Sequence, residues 1–130
     1  MRLLTKGGGI NMTIEACYEA LGGDYSEVLS RLRKEERIQK FALKFLTDET
    51  YNILQQRLDS EDMEEAFRAA HTLKGLCQNL GFTKLFDSGS QVTELLRVRN
   101  LDEARALMPQ VKEDYLQTVT ALKQFQEELS

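Results

Sequence analysis

His71 is the single histidine of the chain, within the run Ala70-His71-Thr72-Leu73-Lys74-Gly75. A free imidazole titrates near pH ~6.5, so around neutrality it offers an unprotonated ring nitrogen as a nucleophile. It can take up a phosphoryl group and give it back. That group is nearly dianionic, and a neighbouring cation helps to hold it. The donor or acceptor must also reach the ring in line, so bulk beside the ring must be absent. On a helix, Lys74 and Gly75 lie one turn beyond His71 and meet those two needs. Glycine inside a helix costs about 1 kcal/mol relative to alanine. Its missing side chain clears space for something large to approach.

These roles require a helix that turns His71 outward. At about 100° per residue, Ala66, Ala69, Leu73, Leu76, Cys77 and Leu80 fall on the side opposite His71 and form an apolar face. Glu64, Phe67, Arg68, Lys74, Gly75 and Gln78 fall within about 60° of it. The imidazole is therefore expected at the surface, near the middle of a long helix. Phe67 is a large apolar residue on this polar face and is read as a small docking patch. Leu76, Cys77 and Leu80 continue the apolar stripe past Gly75, which places Gly75 inside the helix.

The rest of the chain repeats the helical period. Ile14, Cys17, Tyr18 and Leu21 form a first short stripe, closed by Gly22-Gly23. Asp24 is expected to cap a second, with Tyr25, Val28, Leu29 and Leu32. A third carries Ile38, Phe41, Ala42 and Phe45. Thr47 or Asp48 is expected to cap a fourth, with Tyr51, Leu54 and Leu58 on one face. The His71 helix is expected from Ser60 to about Asn79. A sixth starts at Thr83 or Lys84 and carries Leu85, Val92, Leu95 and Leu96. A shorter turn of helix from Leu101 precedes a last helix from Pro109 to Leu129, with Val111, Tyr115, Val119, Leu122, Phe125 and Leu129. Phe86, Ser90, Thr93 and Arg97 make a second stripe on the sixth helix that can flank His71. Phe86 is read as a boundary core residue. Ser88 and Gly89 are read as permitting close helix approach. The expected fold is all-α, an antiparallel up-and-down four-helix bundle with short N-terminal capping helices.

Composition agrees. The chain has 130 residues with one proline and no tryptophan, and its residues are 42% apolar and 29% charged. That length suits one domain. Residues 1–12, with Gly7-Gly8-Gly9, read as a linker or as residues added by cloning, and 13–130 as the helical domain. A net charge of −4 with mixed signs argues against nucleic acid or an anionic membrane as partner. One histidine excludes a two-histidine zinc site. Cys17 and Cys77 suggest no disulfide framework and read as small apolar fillers in a reducing, cytoplasmic setting. The longest charge-free stretch, Gly75 to Thr83, is far too short to span a bilayer.

The run His71-Thr72-Leu73-Lys74-Gly75, flanked by Ala69-Ala70 and by Gln78-Asn79-Leu80-Gly81, resembles the histidine-containing phosphotransfer (HPt) domain of phosphorelays and two-component signal transduction. The resemblance extends by organisation from about Thr13 to Leu129. It implies a four-helix bundle whose histidine takes phosphoryl from the aspartate of a response-regulator receiver domain and passes it to another receiver. His71 would be the phosphoacceptor, Lys74 the balance to the phosphate charge, and Gly75 the access for the receiver. Phe67 and Arg68 would sit in the docking surface. Many members carry on the next helix a glutamine that orients the imidazole, with a basic residue one turn later. The matching positions here are Thr93 and Arg97. Arg97 fits, whereas Thr93 departs from glutamine, and Gln78 is an alternative support for the ring. The implied protein is a covalent phosphohistidine carrier rather than an autonomous enzyme. It would need no metal or other cofactor, with Mg²⁺ in the partner receiver only. Its partners would be receivers and a hybrid sensor kinase, and it would be a monomer. The alternative is a non-catalytic helical adaptor that binds a receiver-like partner without phosphotransfer.

Overall fold

The computed structural model describes residues 12–129. Among them are seven α-helices and no strand: α1 (Ile14–Leu21), α2 (Tyr25–Leu32), α3 (Glu35–Lys44), α4 (Thr50–Asp59), α5 (Met63–Leu80), α6 (Thr83–Arg97) and α7 (Leu101–Leu129). A 3₁₀ turn over Phe45–Thr47 joins α3 to α4. Helices α4 to α7 pack in sequence, each on the next, and α7 returns against α4. Short connections make each neighbour antiparallel, which gives the up-and-down four-helix bundle expected.

The helix starts follow from local chemistry. The side chains of Thr13, Asp24, Asp62 and Asn100 accept hydrogen bonds from the otherwise unpaired amides of Ala16, Glu27, Glu65 and Glu103. The His71 helix therefore begins at Met63, capped by Asp62, and not at Ser60. Glu49 is the N-cap of α4, although the Asp48 carboxylate accepts from the Thr50 amide nearby at 2.8 Å. The expected break before Pro109 does not occur. Leu101–Leu129 is one continuous helix with Pro109 inside it. Pro109 is exposed on the outer side of α7, where it removes one helical hydrogen bond.

Helices α1 to α3 cover the end of the bundle that carries the α5–α6 turn. The Tyr18 hydroxyl donates to the Leu80 carbonyl at 2.7 Å, and the Asp24 amide donates to the Gly81 carbonyl at 2.8 Å. Arg31 donates to the Gln78 and Asn79 carbonyls, satisfying the last turn of α5. Gly81 closes α5 in the left-handed region at φ 70°, where a side chain would be strained. Tyr18, Phe45, Phe82 and Tyr115 pack edge to face or tilted beneath this end.

One core runs through all seven helices, including Ile14, Tyr18, Ile38, Leu54, Leu73, Leu85, Val92, Leu122 and Phe125, all at most 2% exposed. Two residues assigned to apolar stripes are exposed instead: Phe41 is 39% and Leu129 53% exposed. Phe86 is half-buried against the core, as a boundary residue should be. Ser88 and Gly89 are buried, but a Cβ at Gly89 would meet nothing within 4 Å, so no close helix approach depends on it. Of residues 1–12, only Met12 is among those described, and it is half-buried against the core. No helix among the described residues is long and apolar enough to cross a membrane.

Candidate phosphotransfer site

On α5 the inner face is set by Ala66, Ala69, Ala70, Leu73, Cys77 and Leu80, all buried. Their burial fixes the rotation of the helix, and His71 is exposed on the outer side as the helical phase requires. Leu76, expected on the inner face, is only half-buried at its margin.

Phe67 lies one turn before His71. The two rings stack at 6.0 Å between centroids with 22° between their planes. From α6, Arg97 places its guanidinium carbon 5.0 Å from the centre of the Phe67 ring, within the ~6 Å range of a cation–π contact. Arg97 also donates to both carboxylate oxygens of Glu94, at 3.1 and 3.3 Å. Lys74 on α5 approaches the same carboxylate at 4.0 Å. The Arg97 hydrogen bonds hold the Glu94 carboxyl below the usual carboxylate range, and Lys74 and His71 add smaller pulls in the same direction.

Beyond this cluster, Gly75 leaves open space: a Cβ built there would meet nothing within 4 Å. The fold therefore does not require glycine at this position. Arg68 is exposed and pairs with Glu65 at 3.3 Å on its own helix, away from the α6 partners. Gln78 is exposed, and no hydrogen bond joins its side chain to His71 among the described residues. Its backbone carbonyl instead accepts from Arg31.

Thr93 is where sequence and structure diverge most. It is fully buried, and its hydroxyl donates to the Gly89 carbonyl one turn back at 2.7 Å. It does not line the site. The buried face of α6 is two residues wide at this level, taking in Val92 and Thr93 together, so the outward position falls to Glu94. Sequence reading missed Glu94. The usable signal was its spacing of three residues before Arg97, which pairs the two on one turn.

A family model for the Hpt domain matches residues 46–128, which span all four bundle helices and His71. This chain belongs to the Hpt domain family. Hpt domains are phosphotransfer modules of phosphorelay systems, and their partners there are receiver domains. The match leaves α1 to α3 outside, so the covering of the α5–α6 turn is built by the part of this Hpt chain that the family model does not describe. No curated protein and no solved structure matches the chain. Among the described residues of this Hpt chain no group of three or more His, Cys, Asp or Glu is placed to hold a metal ion.

Proposed function

We propose that His71 is the phosphoacceptor of this Hpt domain, receiving phosphoryl from a receiver aspartate and passing it to a second receiver. The observation that carries the reading is the combination on one face of α5. An exposed histidine has Lys74 one turn away and open space over Gly75. In the forward step, the unprotonated ring nitrogen attacks phosphorus. The bond from phosphorus to the aspartyl oxygen breaks, and its electron pair leaves with the carboxylate. The other ring nitrogen keeps its proton. Transfer to the second receiver reverses these changes on a new aspartate.

The roles divide by position. Lys74 and Arg97 supply positive charge for the phosphoryl group. Gly75 admits the receiver. Phe67 holds the imidazole by stacking, a task that Thr93 is too deeply buried to perform. Arg68 and Gln78 contribute exposed polar surface for docking. The chain itself needs no cofactor in this reading, and Mg²⁺ belongs to the receiver. It acts as a monomeric cytoplasmic carrier, with a hybrid sensor kinase among the sources of phosphoryl.

The test is labelling by a phosphorylated receiver domain. Acid-labile, base-stable phosphate on the wild-type chain and none on His71→Gln is the expected result. Label on His71→Gln would defeat the assignment. Receiver binding without any label on the wild type would make the chain an adaptor.

A further inference from the structure

The two cations of the site, Lys74 one turn from His71 and Arg97 on the Phe67 ring, are already partnered. Arg97 grips the Glu94 carboxylate through two hydrogen bonds, and Lys74 stands 4.0 Å from the same group. Glu94 is more than half exposed, so nothing in the core demands its charge. Resting on the phosphotransfer reading, we infer that Glu94 is a resident anion that competes with the phosphoryl group of His71 for Lys74 and Arg97.

Without phosphoryl, the carboxylate sits between two cations that would otherwise repel each other. Phosphorylation of His71 adds a group of charge about −1.5 to −2 one helical turn from Lys74. Lys74 can swing its ammonium from Glu94 to phosphate because its stem is flexible. Arg97 is more tightly engaged, held by the carboxylate on one side and the Phe67 ring on the other. Glu94 then draws on the same two cations that the phosphoryl group needs. The attraction that a lysine and an arginine would give to phosphate is partly cancelled, and the phosphohistidine is poised to give its phosphoryl away. Glu94 thus sets how the phosphoryl group divides between His71 and a receiver, without touching the reacting atoms. It is a positioning residue for charge.

The experiment uses the full chain and a receiver domain charged beforehand with phosphoramidate. The two proteins are mixed at equal concentration, and the equilibrium share of phosphoryl on each is read by phosphate-affinity gel. Glu94→Gln keeps the size and helix preference of the side chain and removes its charge. The expected result is a shift of the equilibrium toward phospho-His71 by about threefold or more at low ionic strength, shrinking in 0.5 M salt, as expected for a screened interaction. Glu94→Asp should stay near wild type. An unchanged division for Glu94→Gln, or a shift toward the receiver, would overturn the inference while leaving His71 as acceptor. A wild-type chain that takes no phosphoryl at all would remove both.

Discussion

The rings of Phe67 and His71 stack one turn apart on α5, 6.0 Å between centroids and 22° from parallel. No side chain of the described residues donates a hydrogen bond to the imidazole, so this contact is the ring's main neighbour. Phe67→Leu should leave the fold intact, since Phe67 is only half-buried at the rim of the core. It should slow phosphoryl uptake severalfold and abolish the upfield ring-current displacement of the His71 ring protons in NMR. Phe67→Tyr should restore both. Unchanged ring-proton shifts in Phe67→Leu would show that the stack does not hold the imidazole in solution.

The buried hydroxyl of Thr93 gives a second prediction. The side chain is fully enclosed and bonded to its own helix at Gly89. Thr93→Gln forces a longer polar side chain into a packed site. It should destabilise the domain by about 1–3 kcal/mol in urea unfolding. It should not speed transfer at His71. A variant as stable as wild type with faster transfer would place position 93 at the surface, contrary to the packing described.

The contrast between α5 and α6 explains what was legible in the sequence. On α5 the apolar residues Ala66, Ala69, Leu73, Cys77 and Leu80 form one unambiguous row, and the rotation of the helix follows from them. The outward position of His71, with Lys74 and Gly75 one turn further on, therefore follows from the run alone. On α6 the buried set includes Ser88, Gly89 and Thr93 beside Leu85, Val92 and Leu96. Small polar residues carry little hydrophobic signal, so the stripe Phe86, Ser90, Thr93 and Arg97 points one residue away from the outward position that Glu94 holds. Pro109 misled for a related reason. A proline is a poor interior helix residue by propensity, but tertiary packing of Val111, Leu122 and Phe125 keeps α7 in one piece. Charge pairing between helices, as between Lys74 and Glu94, depends on register and was not legible from one segment.

The two thiols make a prediction about pH. Burial pushes the Cys17 thiol up to about 11 from an ordinary 9.0, and pushes Cys77 up further still. Burial of Tyr18, Tyr51 and Tyr115 acts in the same sense. The folded state thus binds these protons more tightly than the unfolded state. The associated stability is fully present below pH ~9 and is lost as the pH rises through about 11. The urea midpoint should be flat between pH 7 and 8.5 and fall steadily above pH 9. Both thiols should resist Ellman's reagent in the native protein and react together on unfolding. A rapidly reacting native thiol would contradict the burial of that cysteine.

Gly75 separates what the fold needs from what the partner needs. A Cβ at this position meets nothing within 4 Å, and the residue lies inside α5. Replacing it by alanine should therefore raise stability, by up to about 1 kcal/mol, the cost that glycine imposes on a helix interior. Keeping glycine at that cost makes sense if the space above it is filled by another molecule during transfer. Gly75→Leu is the decisive variant. It should fold about as well as wild type, because a Cβ at this position meets no neighbour and leucine favours the helix over glycine. It should still take phosphoryl from phosphoramidate, which is small enough to reach His71 past a leucine. Exchange with a receiver domain should fall at least tenfold, since the added side chain stands where the partner approaches. Equal exchange rates for Gly75→Leu and wild type would mean that the receiver reaches His71 from a different side of α5.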